Sequence, residues 1–233
     1  MDRPRRGRPE RASRRDRRPR TPAGLSRELV EDVRAAAGGK GNRAVALLEE
    51  AVDALDRGRP GDAVRLAQQA KALAARSGAI REVLGMALYR LSRYREALRE
   101  LQAYRRITGR PDQNHLVADA HRALGAPEKA LPLVQEALDA RIGAEARAEA
   151  AVVGGAALAD LGRHEEALTL LRRFDRGGDA ARPYDLRVWY VTGDVLERAG
   201  RTREAARSFR RIVDHDPEAF DAAERLARLA QTS

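Results

Sequence analysis

Leu161-Gly162-Arg163-His164-Glu165-Glu166-Ala167-Leu168 is the stretch on which the fold turns. A glycine closes one apolar run, four polar residues follow, and alanine opens the next run five residues after the glycine. The same phrase recurs along the chain. Turns at Gly58, Ser92, Gly125, Gly162 and Gly200 are each followed five residues later by Ala63, Ala97, Ala130, Ala167 and Ala205, with spacings of 34, 33, 37 and 38 residues between turns. Self-similarity at such a period marks supersecondary units that bury their apolar faces by stacking. Another small residue, Ala51, Gly85, Ala118, Gly155 or Gly193, stands seven residues before each turn. Small residues facing small residues would let two antiparallel helices approach closely. Leu88, Leu158 and Leu196 before the turns, and Leu101, Val134, Leu171 and Phe209 after them, would fill the remaining space. The longer spacings imply extra residues near 145–147 and 182–185, where Gly177-Gly178 and Pro183 mark a loop.

This pattern resembles the tetratricopeptide repeat (TPR) family, whose helix–turn–helix unit of about 34 residues carries small residues at these two positions. The resemblance spans roughly residues 44–219 and is fullest in the fifth unit, with Trp189, Gly193, Leu196, Ala205, Phe209 and Pro217. Arg81 and Asn114 depart from it where the fifth unit has Trp189. It implies an all-α fold, a right-handed α-solenoid of antiparallel helix pairs, with five repeats over residues 44–217. Residues 25–37 read as the second helix of a half repeat, with Leu29, Val33 and Ala36 on one face and Gly38-Gly39-Lys40-Gly41 as a linker, so that 22–43 form an N-terminal cap. Residues 218–233 read as a closing helix with Leu226 and Leu229 inward and Asp221–Arg225 and Glu224–Arg228 pairs outward, as a solenoid end needs for solubility.

Composition agrees with helices. Hydrophobic residues make up 43% of the 233 and aromatics only 4%, so the core is built from Leu, Val and Ala. With no cysteine there is neither a disulfide framework nor a thiolate site, which suits a cytoplasmic protein. No run of apolar residues is long enough to span a membrane, and no apolar segment follows the Arg-rich start as a secretion signal would require. The net charge of +10 is concentrated at that start, where residues 1–20 hold ten arginines against three acids. Residues 1–21 carry too few apolar groups to form a core and read as a disordered tail. Within it, Pro4-Arg5-Arg6-Gly7-Arg8-Pro9 resembles an AT-hook, which makes Arg5, Arg6 and Arg8 candidates for nucleic-acid contact in a narrow minor groove. Arg57-Gly58-Arg59-Pro60 repeats the same letters inside a repeat turn, so the motif is cheap in this composition.

Catalytic and cofactor patterns are not found. The histidines at 115, 121, 164 and 215 form no i, i+4 pair of metal ligands, and His121 falls at an inter-helix position that suits a structural role. The Gly38–Gly41 run has neither P-loop spacing nor the following Ser or Thr, and adjacent carboxylates such as Glu165-Glu166 point apart on a helix. The expectation is a non-enzyme that needs no cofactor or metal. In the TPR family the first helix of each repeat lines a concave face that takes extended peptides. Carried over by position, that face comprises Val45, Leu48, Glu82, Met86, Tyr89, His115, Asp119, Arg122, Val152, Tyr190 and Asp194 among its main candidates. Acids outnumber arginines along it, so a protein or peptide partner with positive charge and apolar anchors is expected. The co-chaperone constellation of Lys and Asn that grips a terminal carboxylate is missing.

Overall fold

The computed structural model describes residues 25–175 and 181–231. Among them are twelve α-helices and no strand: α1 (Arg27–Ala37), α2 (Gly41–Asp56), α3 (Pro60–Leu73), α4 (Gly78–Arg90), α5 (Tyr94–Thr108), α6 (Asn114–Ala123), α7 (Ala130–Asp139), α8 (Ala144–Asp160), α9 (His164–Arg172), α10 (Pro183–Arg198), α11 (Thr202–His215) and α12 (Ala222–Gln231). α2 to α11 form five antiparallel pairs. Each pair packs internally, and its second helix packs on the first helix of the next pair, so the chain is an all-α solenoid.

The turns follow from backbone chemistry. Gly58, Gly125, Gly162 and Gly200 all have φ between 68 and 77°, a left-handed conformation that glycine adopts without a Cβ penalty. The next residue's N–H then reaches back five residues, as in Arg163 to Leu158 and Arg201 to Leu196, both at 2.8 Å, and satisfies a helix-end carbonyl. Ser92 makes the same turn at φ 57° despite its side chain. After four of the turns an arginine clasps the acid three residues on: Arg59–Asp62, Arg93–Glu96, Arg163–Glu166 and Arg201–Glu204.

Within a pair, the small residue seven before the turn meets a large one rather than another small one. A Cβ on Gly85, Gly155 or Gly193 would stand 2.7 to 2.9 Å from the side chain of Leu101, Leu171 or Phe209. The expected small-to-small contact is thus small-to-large. The glycines make room for the bulky residue nine after the turn, while Ala97, Ala167 and Ala205 are buried as expected. Trp189 is fully buried, donates its indole N–H to Asp175 at 2.8 Å and lies under the Arg211 guanidinium. Where Trp189 has no counterpart, polar substitutes are satisfied. Asn114 is buried and donates to the Leu133 carbonyl at 3.2 Å, and Arg81 joins Lys71 on Glu100, both at 2.7 Å.

The chain ends depart further from expectation. The Gly38–Gly41 segment joins α1 to α2 by a single 3-10 turn over Gly38–Lys40, and α2 starts at Gly41 itself. α1 does not sit as a preceding second helix. It packs on α2 and α4: Arg34 lies 3.1 Å from the Cβ position of Gly41, and Asp32 accepts hydrogen bonds from the Ser77 hydroxyl and the Ala79 N–H at the start of α4. α12 does close the array, packing on α11, but it is rotated from the expected register. Ala222, Arg225 and Leu229 face inward, Leu226 is half-buried, and Arg225 pairs with Asp194 and Glu197 instead of Asp221. The extra residues expected as insertions are helical: 144–147 and 183–185 are the first turns of α8 and α10, while Gly177 and Gly178 lie outside the described residues.

Candidate binding face

The first helices of the five pairs, α2, α4, α6, α8 and α10, carry the positions assigned to the concave face. α1 removes the first part of that face from solvent. Val45 and Leu48 on α2 are buried beneath it together with Ala79 on α4, so Val45 and Leu48 are core residues and do not line an open groove. Val152 on α8 is likewise buried, in the core shared with α9 and α10, and is withdrawn from the face for the same reason.

Toward the turn ends of these helices, the polar candidates are brought together in one hydrogen-bonded ladder. The Tyr89 hydroxyl donates to Asp119, Arg122 donates to Asp119 at 2.8 Å and to Asp160 at 3.1 Å, and Arg198 donates to Asp160 at 2.8 Å. Arg198 also reaches Asp194 at 2.8 Å, and Arg225 of α12 binds Asp194 at 2.9 Å and Glu197 at 2.7 Å. Tyr190 stacks against Phe220 and donates to Asp221 at 2.6 Å. The ladder therefore runs from α4 to α12. Burial and the hydrogen bond to Asp119 hold the Tyr89 hydroxyl well above its usual pKa, so it stays a donor. Asp160 and Arg198 stand two residues before their turns, a position not counted among the lining residues. The expected acid excess is accordingly reduced, because Arg198 and Arg225 neutralise carboxylates that sequence left unpaired.

Toward the opposite ends of α4, α6 and α8 lies a cavity of about 630 Å³. Met86, His115, Ile142 and Ala146 give it apolar and aromatic surface, and Arg110, Asp112, Gln113, Glu145 and Glu149 give it polar groups. Gln113 donates to Glu82 at 2.7 Å, His115 Nδ1 meets the Asp112 carbonyl at 3.1 Å, and Glu149 pairs with Arg187 at 3.0 Å. Burial raises the Glu82 carboxyl above its ordinary value against the opposing Gln113 hydrogen bond, and burial raises Glu149 against the opposing charge of Arg187. Burial lowers the His115 pKa, so the ring is neutral at pH 7. Arg110, Gln113 and Ile142 belong to the segments preceding α6 and α8 and escaped a count confined to helical positions. Arg5, Arg6 and Arg8 lie outside the described residues. Among the described residues no group of His, Asp and Glu is placed to hold a metal ion, and no helix is long and apolar enough to cross a membrane.

Known proteins agree with this architecture. Tetratricopeptide repeat family models match residues 48–111 and 186–229. No curated protein matches the sequence. Among solved structures, a thermophilic TPR protein of Thermus thermophilus is 18% identical with a TM-score of 0.66, the match covering 81% of this chain and 99% of that one. YrrB, described as a TPR protein with an unusual peptide-binding site, is 18% identical with a TM-score of 0.56, covering 88% and 100%. The apo quorum sensor NprR from B. thuringiensis is 12% identical with a TM-score of 0.68, covering 87% and 62%. At these identities the likeness establishes the fold. With five glycine-punctuated helix pairs in one array and repeat models matching near both ends of it, the chain belongs to the tetratricopeptide repeat family.

Proposed function

We propose that the chain is a non-catalytic scaffold that holds an extended segment of another protein on the part of its concave face left open by α1, over α4, α6 and α8. The observation that carries this reading is the cavity between those helices. Met86 and Ile142 offer an apolar seat, and Glu82 and Glu149 are carboxyls whose burial disfavours their charge. An arriving guanidinium or ammonium group would favour the charged form, so a segment with an apolar anchor followed by a basic side chain fits the site. The peptide-binding site named for YrrB is consistent with such a use of the fold.

The test is selection of binders from a displayed random-peptide library on the full chain, followed by titration of the best peptide. Replacing Ile142 or Met86 with Ala is expected to weaken binding by about 1–3 kcal/mol, as loss of a buried anchor does. Affinity should also fall as pH is lowered through the raised carboxyl pKa values, because their protonation removes the attraction. Selected peptides lacking basic residues, or binding unaffected by both substitutions, would count against this reading. A chain lacking residues 1–24 separates the alternative suggested by Arg5, Arg6 and Arg8. If it alone loses duplex-DNA binding with a steep salt dependence, a nucleic-acid adaptor becomes the better account.

A further inference from the structure

On the other face of the first turn of α8, away from Glu145 and Glu149, a second cavity of about 260 Å³ is lined by Ala144, Arg147, Arg173, Phe174, Arg182 and Tyr184. Three arginines line it from three elements: the start of α8, the end of α9 and the N-cap of α10. Such a gathering of like charge is unfavourable unless something negative sits among them. Among the described residues, Asp185 is the carboxylate bonded to any of the three, accepting from Arg182 Nε at 2.9 Å and Nη2 at 3.2 Å. The Arg147 Nε is buried and has no hydrogen-bond partner among the described residues, although a buried orphan donor normally costs free energy. α8 also begins here with no side-chain cap, so its first N–H groups add partial positive charge at the same edge.

We infer that this cavity is a binding site for a phosphate monoester dianion, gripped by Arg147, Arg173 and Arg182. Among the described residues, three arginines less Asp185 leave two positive charges, which match a dianion better than a carboxylate. Planar guanidinium groups suit phosphate oxygens, and the Nε of Arg147, which lines the site, is a donor already desolvated. Phe174 and Tyr184 wall it with aromatic carbon, and Arg182 stacks 4.3 Å from the Tyr184 ring centre, which fixes its plane. The site is separate from the peptide-binding reading and stands whether or not that reading does.

The experiment is calorimetric titration of the full chain with O-phosphoserine carrying blocked termini, and separately with inorganic phosphate and acetate. Binding of the phosphoserine probe is expected, with roughly tenfold or greater loss in Arg147→Gln and in Arg173→Gln. Arg65→Gln, on the surface of α3, removes the same charge elsewhere and should leave affinity unchanged. Binding should weaken between pH 7.5 and about 5.5 as the dianion takes up a proton. Phosphoserine tighter than inorganic phosphate assigns the ligand to a modified side chain, and the reverse order assigns it to the free ion; both support the site. Equal affinity in wild type, R147Q and R173Q would overturn it, as would acetate binding as tightly as phosphate.

Discussion

α2 and α10 are equivalent helices of the first and fifth pairs, yet their inward faces are put to different uses. On α2 that face is apolar, with Val45 and Leu48, and α1 folds over it and buries both. On α10 the corresponding face carries Tyr190, Asp194 and Glu197, and it is tied by Arg198 and Arg225 into the ladder that links α4 to α12. One end of the concave face is thus sealed by burial, where apolar area leaving water supplies the driving force. The other end is organised by charge-assisted hydrogen bonds among half-exposed groups, each worth little alone. The open cavity lies between them. The repeat scaffold is shared, and function is set by what covers each stretch of it.

The shared scaffold is the premise, and the largest expected effect tests it. Gly85→Leu and Gly193→Leu place a side chain where Leu101 or Phe209 already stands within 3 Å of the missing Cβ. Both should cost about 3 kcal/mol or more through overpacking, and both should lower the denaturant midpoint of the whole array. If one is tolerated and the other is not, the two ends do not share a packing rule. A smaller and more local effect is expected from Val33→Asp, which places a charge on the buried face of α1. The helix can escape by detaching, so the cost is limited to its docking free energy, about 2–3 kcal/mol for a buried apolar contact of this size. Hydrogen exchange should accelerate in α1 and at Val45 and Leu48, with α8 to α11 unaffected. Acceleration throughout would mean that α1 belongs to the core of the array instead of lying over its groove.

These distinctions were unequally legible. The helix pairs could be read because turn, alanine and glycine recur at fixed offsets, and each offset reports a local contact. The pattern Leu29, Val33, Ala36 gave α1 an apolar face but could not say which helix it would meet, since the same stripe serves either packing. Its place depends on Asp32 reaching Ser77, 45 residues away, and no local period encodes that contact. The acids of the groove were visible, but their partners Arg198 and Arg225 come from offsets outside the repeat positions counted. Asn114 looked like a flaw in the third unit. Its buried amide instead donates to the Leu133 carbonyl of α7, the second helix of the same unit.

The ladder gives a more discriminating comparison. Asp160 takes hydrogen bonds from Arg122 and Arg198, whereas Asp56, also two residues before its turn, is exposed on α2. Asp160→Asn should lower stability by about 1 kcal/mol, a modest figure because all three groups are partly solvated. Asp56→Asn should change the midpoint within error. Similar losses in both would mean that the ladder contributes no more than any surface acid.

The smallest expected effect is a gain. Four of the five turns use glycine in the left-handed region and the second uses Ser92, at φ 57°. A side chain there brings Cβ close to the following carbonyl oxygen, a cost glycine avoids, while glycine's looser unfolded chain offsets part of the benefit. Ser92→Gly should therefore stabilise by about 0.5–1 kcal/mol, with no change in hydrogen-exchange pattern beyond the α4–α5 pair. The gain is smaller than the full left-handed penalty because entropy in the unfolded state opposes it. No gain at all would indicate that Ser92 recovers the strain locally, and the contact available for that is the 3.4 Å approach of its hydroxyl to Tyr94. Repeating the substitution in Tyr94→Phe would then decide the matter, since removing that contact should restore the advantage of glycine.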